Sequence, residues 1–485
     1  MKMIMTMTPS SLFLALALSS SPEIDAIVEP LRAAHDVPGV GIALVRGGEI
    51  VHVAGYGVAD ARSGAPVGER TVFSLGSVSK AFAAVTVMQL VESGKVALDD
   101  PVGKHLPNFP HSDARKITLR HLLSHTSGFP RLPEWGLPTR ADIVGRLATI
   151  ALEAPPGEAW RYCNQNFILA GHVVERVLGT PWDEVLRGSV LAPLEMDDAH
   201  TDFDRARTDR AHAQPHVLDV RRGSRRIEFE THLGPWGPSG GVHASARDMA
   251  RWVRFQVGDG APVLKKASLA EMHREQVSLA TAPAARERRQ ALPVEKMGYG
   301  LGWYTEEFRS NRLVTHDGTL DGFTASVTLV PNARSGLAIL TNGDHANSFV
   351  HALRLRLVEW LLGLEKRGDV VLDVHSRAQF EPSTRRARLE AARTFRADPA
   401  SFAPFIGKYR GLPPGGPDLV VAGSGDGLSL TIVGQVTIEL VPFEQDGFLG
   451  NSGPMIGAPL KFQRAADGTV VILAGDQQVG TKGGG

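Results

Sequence analysis

Ser77 and Lys80 stand three positions apart, a spacing that could serve nucleophilic catalysis. They lie where a strand-like apolar run gives way to a helix-like run, and side chains at positions i and i+3 share one helix face. Serine becomes a good nucleophile when a nearby base takes its proton, and lysine is such a base when burial lowers its pKa. A serine N-cap followed by a solvated lysine would give the same spacing, so the tetrad alone leaves both interpretations open.

Two later motifs accompany the tetrad in the sequence. Residues 162–164 read Tyr-Cys-Asn and residues 316–318 read His-Asp-Gly. In this order, residues 73–80 and the two later motifs resemble the three motifs of the serine β-lactamase and penicillin-binding-protein superfamily, especially its class C-like esterase and D-peptidase branch. Residues 122–128 and 238–241 also resemble signatures of that superfamily. The resemblance covers about residues 25 to 362.

The resemblance implies a role for each residue of the first two motifs. Ser77 would be the nucleophile that forms a covalent acyl-enzyme, Lys80 the base for acylation, and Tyr162 a phenolic proton relay. A lysine ammonium beside Tyr162 would favour its phenolate. Asn164 would bind the substrate by hydrogen bonding. This chemistry requires neither a metal ion nor an organic cofactor.

The third motif is expected to be an edge strand along the catalytic cleft, where His316 and Gly318 contact the substrate. The backbone N–H groups of Ser77 and Thr319 would form the oxyanion hole, in which one donor contributes about 3 kcal/mol. Many relatives have lysine where this chain has His316, which is mostly neutral at pH 7 with an ordinary pKa of about 6.5. We therefore expect weak binding of substrates that need a cation for their carboxylate, and strand alternation should turn Asp317 away from the cleft.

These residues predict a serine hydrolase that forms an acyl-enzyme on Ser77 and cleaves the amide bonds of short peptides or ester bonds. One alternative is a carboxylesterase without peptidase activity. A second is a penicillin-binding protein or D-alanyl carboxypeptidase, or a weak β-lactamase. A third, of another class, is a non-catalytic binding protein on the same fold.

Two other patterns could carry different chemistry. Residues 237–241 match Gly-x-Ser-x-Gly, which would make Ser239 the nucleophile, but the prolines at 235 and 238 do not suit the strand that must precede such an elbow. His121 and His125 stand one helical turn apart, without the glutamate of a metalloprotease motif or an evident third ligand. We therefore predict core packing for these histidines and no metal site.

The elements around the motifs predict an α+β fold of the β-lactamase/transpeptidase type. Residues 41–53 read as a hairpin with a glycine turn, and strands resume near Tyr299 with a second hairpin at 323–341. We expect these strands to form one antiparallel sheet flanked by terminal helices, with a mainly helical insertion from about Leu90 to Gln256.

The chain divides into four predicted segments. Residues 1–22 resemble a signal peptide or leader, 23–365 form the hydrolase domain, 366–400 form a charged connector, and 401–485 form a small domain. In the last segment, short apolar runs alternate with glycine-rich turns, which predicts a small antiparallel β-barrel. The leader favours a secreted or periplasmic protein, with a cytoplasmic location as the alternative.

Composition limits the possible partners. The 52 basic and 52 acidic side chains cancel, so the protein has no net field to attract nucleic acid. Cys163 is the single cysteine, which excludes an internal disulfide. After the leader, no run approaches the roughly 20 apolar residues of a membrane span. The expected partner is a small-molecule or short-peptide substrate, and the oligomeric state stays open.

Overall fold

A computed structural model describes most of the chain after residue 20. The described residues are 21–482 apart from 230–233, 281–293, 345, 366–381, 413–416, 434–435, 452–457, 466 and 475–476. Most of the predicted leader and half of the predicted connector therefore lie outside them. No helix in the described part of the chain combines the length and hydropathy needed to cross a bilayer.

One antiparallel sheet of nine strands forms the centre of the first domain, in the order β3-β2-β1-β13-β12-β11-β10-β9-β8. Two short pairs, β4 with β7 and β5 with β6, lie outside it. The thirteen strands are β1 (Gly39–Arg46), β2 (Glu49–Asp60), β3 (Ala65–Pro66), β4 (Val72–Ser74), β5 (His216–Asp219), β6 (Gly223–Arg226), β7 (His243–Ser245), β8 (Val277–Ser278), β9 (Met297–Tyr299), β10 (Tyr304–Phe308), β11 (Asn311–Leu320), β12 (Phe323–Val330) and β13 (Ser335–Thr341). The predicted α+β fold and its antiparallel sheet are confirmed.

Strand β2 continues well beyond the hairpin that the sequence predicts, through Gly55 and Gly57. A Cβ at Gly55 would lie 2.4 Å from the carbonyl oxygen of Val67, so glycine permits close approach of the neighbouring chain. Gly57 adopts φ +69°, where a side chain is strained. These glycines look like strand breakers in the sequence, but here they let the strand pass close to other backbone.

Helices cover the sheet and form the insertion between β4 and β8. They are α1 (Pro22–Ala34), α2 (Ser79–Glu92), α3 (Val102–His105), α4 (Leu119–Leu123), α5 (Arg140–Leu147), α6 (Asn164–Leu178), α7 (Trp182–Leu186), α8 (Phe203–Thr208), α9 (Gly237–Gly240), α10 (Ala246–Val257), α11 (Lys266–His273), α12 (Asn347–Leu362) and α13 (Pro382–Thr394). Helix α2 is buried at every position from Ser79 to Met88, including Lys80. A helix that is apolar all round belongs in the centre of a domain, so α2 fixes the catalytic tetrad inside the protein.

The C-terminal strands close into an eight-stranded antiparallel barrel, which confirms the predicted β-barrel domain. They are β14 (Gly407–Gly411), β15 (Leu419–Ser424), β16 (Gly427–Ile432), β17 (Val436–Glu444), β18 (Gly447–Gly450), β19 (Pro459–Arg464), β20 (Val470–Ala474) and β21 (Gln477–Lys482). Phe402 and Phe405, on a 3-10 helix before β14, belong to the same buried core as Phe448 and Phe462. Side chains therefore fill the barrel.

A second small core joins the barrel to the first domain. Leu218 and Val220, at the β5–β6 hairpin, share a buried cluster with Leu389 of α13 and with Val441 and Phe443 of the barrel. An ion pair between Arg221 and Asp426 and a 2.7 Å hydrogen bond from Val220 N to Asn451 Oδ1 add polar contacts. The hairpin thus anchors the barrel.

Candidate active site

Ser77 lies on a short 3-10 helix, Gly76–Val78, that joins β4 to α2. Gly76 has φ +53°, in the left-handed region that favours glycine, and a Cβ there would lie 2.7 Å from Thr319 N. Glycine at this position therefore lets the turn approach β11. The turn leaves Ser77 partly exposed between the buried residues Gly76 and Val78.

Two groups that can carry a proton contact the Ser77 hydroxyl. Lys80 Nζ lies 3.0 Å from Ser77 Oγ, and Tyr162 OH donates a hydrogen bond to the same oxygen at 2.8 Å. Lys80 reaches Ser77 from the first turn of α2, while Tyr162 comes from the segment just before α6. The structure therefore brings together the three residues that the sequence predicts to share a proton.

Lys80 has the protonation behaviour that a base requires. Its side chain is fully buried, and this burial lowers the pKa of Lys80 to about 7, while Glu134 and Cys163 act in the opposite direction. Nζ also donates to the carbonyl oxygen of Ser239 at 2.8 Å, which fixes its position. Near neutral pH a substantial share of Lys80 is thus the free amine, which can accept a proton.

Tyr162 differs from the expectation. Burial raises the pKa of Tyr162, Tyr304 raises it further, and the hydrogen bond with Ser77 lowers it only in part. The prediction that Lys80 favours the phenolate is therefore wrong: the partly neutral amine of Lys80 does not offset the hydration that a buried phenolate would lose. The ring packs against His125, with 4.4 Å between ring centroids, so Tyr162 is a firmly held neutral phenol.

Strand β11 forms the wall opposite α2. A Cβ at Gly318 would lie 2.0 Å from the Leu75 carbonyl oxygen and 2.8 Å from Ser77 N, so the strand and the Ser77 turn touch through backbone. Thr319 follows as an exposed residue on the cavity wall. The close approach of Thr319 N to Gly76 puts the backbone N–H groups of residues 77 and 319 in the same part of the wall, as an oxyanion hole requires.

His316 is buried and does not face the cavity, in contrast to the substrate contact that the sequence predicts for it. The side chain is 1% exposed, and His316 is not one of the described residues that line the catalytic cavity. Nε2 lies 3.1 Å from Tyr299 OH and Nδ1 lies 2.7 Å from the carbonyl oxygen of Asp317. Because the ring is bound to Tyr299 beneath the wall, direct contact of His316 with substrate would require this network to open.

Asn164 and Asp317 both line the cavity, although strand alternation predicts that Asp317 turns away from it. Ser326 donates to Asp317 Oδ1 at 2.6 Å and Arg354 lies 3.7 Å from the same oxygen, so the carboxylate points to the face of the sheet that carries α12. Asn164 begins α6 and lines the cavity. Its buried Oδ1 accepts no hydrogen bond from the described residues, which leaves an acceptor for a substrate N–H.

The cavity beside Ser77 has a volume of about 340 Å³. Its walls combine catalytic residues, charged residues and one large aromatic side chain. They consist of Gly76, Ser77, Arg131, Glu134, Tyr162, Asn164, Trp236, Ser239, Gly240, Asp317, Thr319 and Leu320. This size is at the small end of ligand sites, which suits a small substrate.

A family model described as beta-lactamase matches residues 24–359. The chain belongs to the beta-lactamase family. The match includes the sheet and every residue assigned to the site, and it confirms the resemblance seen in the sequence motifs. The barrel, which begins at Gly407, lies beyond the part that matches the beta-lactamase model.

The chain is similar in sequence to several known proteins. Penicillin-binding protein 4 of Amycolatopsis lactamdurans is 32% identical over 349 residues, which covers 69% of this chain and 89% of that protein. Protein flp of Staphylococcus aureus (strain NCTC 8325 / PS 47) is 28% identical over 352 residues, which covers 70% of this chain and 67% of that protein.

Solved structures extend the likeness to nearly the whole chain. The octameric penicillin-binding protein homologue of Pyrococcus abyssi has a TM-score of 0.62 at 22% identity and covers 95% of this chain and 99% of its own. SurE has a TM-score of 0.62 at 25% identity and covers 95% of this chain and 98% of its own. The first of these likenesses concerns the fold alone, and its extent includes the C-terminal barrel.

The beta-lactamase fold also places residues at the site that the motifs do not reveal. Ser239 contributes its carbonyl oxygen to Lys80, while its hydroxyl donates to Trp236 O at 3.1 Å rather than to a base. His125 accepts a hydrogen bond from Cys163 N at 3.1 Å beside Tyr162. Both residues lie in sequence runs that resemble family signatures. The runs indicate that these positions matter, but they do not indicate what Ser239 and His125 contact.

His121 has a structural position in this beta-lactamase fold. Thr118 and His121 form a reciprocal capping box at the start of α4, with Thr118 N donating to His121 Nδ1 at 3.3 Å. Within the described residues, no group of three histidine, cysteine or acidic side chains is arranged to hold a metal ion.

Proposed function

We propose that this protein is a serine hydrolase that forms an acyl-enzyme on Ser77 and cleaves the amide bonds of short peptides or ester bonds. The observation that carries the proposal is the contact of Ser77 Oγ with both Lys80 Nζ, at 3.0 Å, and Tyr162 OH, at 2.8 Å. A partly exposed serine held by a buried lysine with a pKa of about 7 is an activated nucleophile.

With Lys80 neutral, the hydrogen bonds at the site form a consistent set. Ser77 O–H donates to the Nζ lone pair, Tyr162 O–H donates to Ser77 Oγ, and an N–H of Lys80 donates to the carbonyl of Ser239. In acylation, Nζ takes the Ser77 proton as Oγ attacks the substrate carbonyl. The backbone N–H groups of Ser77 and Thr319 stabilise the oxyanion that forms.

Collapse of the tetrahedral intermediate requires a proton for the leaving group. Tyr162 donates this proton and regains one directly from the Lys80 ammonium, whose Nζ lies 4.9 Å from the centroid of the Tyr162 ring. The raised pKa of Tyr162 keeps the phenol protonated near neutral pH, so the proton is present when the leaving group needs it. In deacylation, water gives a proton to the same pair and attacks the acyl carbonyl, and Ser77 Oγ takes that proton back as its bond to the acyl carbon breaks.

The cavity supports a small substrate without choosing between amide and ester. A volume of about 340 Å³ accommodates a short peptide or a small ester. Asn164 Oδ1 offers an acceptor to an amide N–H of the substrate. The same acyl-enzyme chemistry serves both bond types, so the leaving group that fits the cavity decides between them.

A second candidate function is the binding of penicillins or of peptides that end in D-alanine. Arg131 lines the cavity and supplies a cation for a carboxylate that the buried His316 does not supply. The likeness to penicillin-binding protein 4 of Amycolatopsis lactamdurans supports the same candidate. This candidate requires the same acyl-enzyme on Ser77.

The first experiment is covalent labelling of the full chain with a fluorophosphonate and, separately, with penicillin, followed by peptide mass spectrometry. The proposal expects a fluorophosphonate adduct on Ser77 that is absent in Ser77→Ala. A panel of p-nitrophenyl esters, D- and L-aminoacyl anilides, D-alanyl peptides and nitrocefin then ranks the substrate classes. Folded protein without an adduct and without turnover would favour a non-catalytic binding protein.

We also propose export from the cytoplasm. Lys2 followed by the apolar run 12–18 and its small residues supports a cleaved signal peptide. Intact-mass measurement of the protein recovered from each cell compartment tests this proposal. A full-length protein confined to the cytoplasm would contradict it.

A further inference from the structure

A second cavity, with a volume of about 890 Å³, lies apart from the catalytic site. Its walls include the end of α10, the start of α11, the start of β11 and the turn between β12 and β13. None of the described residues that line it also lines the catalytic cavity. The volume is in the range of ligand sites, so this cavity has room for a small molecule of its own.

Positive charge predominates on the walls of this second cavity. Two acidic residues line it, Glu195 and Asp259. The cationic residues of the described lining are Arg251, Arg254, Lys266, Arg312 and Arg334. Because the protein as a whole has no formal net charge, this excess is local. A cleft lined by one sign of charge focuses the electric field, which attracts ligands of the opposite sign.

The two acids neutralise only part of this charge. Glu195 pairs with Arg251, whose Nη2 lies 3.5 Å from Glu195 Oε2. Asp259 is exposed, and its Oδ1 accepts a hydrogen bond from Ala261 N at 3.3 Å. The other cations form no ion pair with the described residues, and we call them the cation group: Arg254, Lys266, Arg312 and Arg334.

Contacts with the surrounding backbone position two members of the cation group. The guanidinium of Arg312 donates to the carbonyl oxygen of His273. The guanidinium of Arg334 lies against Gly48, where a Cβ would be 2.8 Å from Nη2, so glycine makes room for it. A guanidinium presents its N–H donors in a planar fork that matches the oxygens of a phosphate.

A buried amide on the same wall lacks a hydrogen-bond partner. Gln256 is 2% exposed and lines the cavity. Its Oε1 lies 2.9 Å from His273 Nε2, which donates because a carbonyl oxygen can only accept. The Nε2 group of Gln256 then has no partner among the described residues. Since buried donors are almost always paired, this amide is a donor for an acceptor atom inside the cavity.

Apolar side chains line another part of the cavity. They belong to Leu194, Phe255, Val257 and Leu269. A ligand can therefore place an organic group against these residues while its anionic group contacts the cations.

We propose that this cavity binds a small organic phosphate, with the phosphate on the cation group and the Gln256 amide and the organic part against the apolar wall. The proposal is independent of acyl-enzyme formation at Ser77.

The test is calorimetric titration of the full chain with phenyl phosphate, inorganic phosphate and benzoate at constant ionic strength. We expect saturable binding of phenyl phosphate, on the order of 10-fold tighter than benzoate, which has the same ring but one carboxylate charge. Inorganic phosphate should bind more weakly than phenyl phosphate because it lacks the apolar contacts. Phenyl phosphate that binds no more tightly than benzoate would overturn the phosphate site.

Variants locate the binding in this cavity. Arg254→Gln combined with Arg334→Gln should weaken phenyl phosphate binding by at least about 10-fold. Gln256→Glu keeps an oxygen for His273 but replaces the unpaired donor, so it should also weaken binding. Arg225→Gln is the control, because it removes an exposed arginine of β6 that does not line the cavity.

Thermal melts provide a second readout that also reports on folding. Phenyl phosphate should raise the melting temperature of the wild type and of Ser77→Ala, and it should not raise that of the double arginine variant. A melt of each variant without ligand shows whether it folds. Wild-type affinity in a folded double arginine variant would overturn the proposal. Undiminished binding to Ser77→Ala separates this site from the proposed hydrolase.

Discussion

Gly318 packs so closely against Leu75 that an added Cβ would lie 2.0 Å from the Leu75 carbonyl oxygen. The carbonyl cannot move away freely, because Leu75 N is itself bound to Val242 O at 2.9 Å. Strand β11 therefore requires glycine at position 318 to stay beside the turn that carries Ser77. The contact sets the distance between the two backbone N–H groups proposed for the oxyanion hole.

Gly318→Ala should lower kcat by about 100- to 1000-fold, the effect of losing one oxyanion donor. The measurement is kcat with the best substrate, together with the rate of fluorophosphonate labelling and a thermal melt. Gly145→Ala is the control, since a Cβ at that exposed helical position meets nothing within 4 Å. Wild-type kcat in Gly318→Ala would show that β11 does not supply the donor.

The sequence predicts the sheet and the barrel because these follow local rules, whereas the meeting of Tyr162 with Ser77 and Lys80 is predicted only by the resemblance of the motifs to the superfamily. The spacing of Ser77 and Lys80 places both side chains on one helix face. The sheet, the barrel and the spacing of Ser77 and Lys80 all depend on residues that are near one another along the chain.

The features that the sequence does not predict depend on distant contacts. His316 is bound to Tyr299 rather than exposed in the cavity, and nothing in the order of residues indicates that pairing. Glu134 reaches the site because Gln165 holds the preceding carbonyl, which is a contact between two separate segments. The raised pKa of Tyr162 likewise comes from burial that the whole domain creates.

Lys80→Met should abolish turnover and raise the melting temperature at pH 7. Burial lowers the pKa of Lys80 from 10.5 to about 7, so between these values the unfolded chain binds a proton that the folded chain does not. Wild-type stability therefore rises with pH from about 7 to 10.5, and a methionine of similar length removes the penalty. In thermal melts between pH 7 and 10, the difference in melting temperature between Lys80→Met and the wild type should become smaller as pH rises.

The wild-type kcat/KM should also rise with pH through about 7, as the Lys80 amine becomes free. Activity that is unchanged from pH 5.5 to 8.5 would rule out Lys80 as the base. A melting temperature of Lys80→Met below that of the wild type at pH 7 would show that the lysine stabilises the fold.

Tyr162→Phe should lower kcat by about 100-fold and leave the fold intact. The phenylalanine ring keeps the packing against His125 at 4.4 Å, but the hydrogen bond to Ser77 Oγ at 2.8 Å is lost. Stopped-flow measurement of the acylation burst and of steady-state turnover separates the two half-reactions. A wild-type rate in both would exclude Tyr162 from proton transfer.

Three histidines beside the β4–β7 pair should make the fold sensitive to acid. His212 Nε2 lies 3.3 Å from His243 Nδ1, and the rings of His200 and His243 stack with centroids 4.9 Å apart. Burial lowers the pKa of His200 to about 4 and of His212 to about 3, and it holds that of His243 well below 6.5. Arg205 lowers the pKa of all three further. Asp209 opposes this effect for His200 and His212, and Asp202 opposes it for His200.

Because these folded-state pKa values lie below the ordinary value of 6.5, the unfolded chain takes up protons first as pH falls. Their full contribution to the free energy of unfolding is present above about pH 6.5. It declines toward pH 4 by about 1.4 kcal/mol per pH unit for each histidine. Urea unfolding at pH 7.5, 6.5, 5.5 and 4.5 measures this slope. Ser74 Oγ lies 3.0 Å from His243 Nδ1, so His243→Asn retains a polar atom for this contact and should reduce the slope by about one proton. An unchanged slope in that variant would show that His243 is not one of the groups that take up a proton on unfolding.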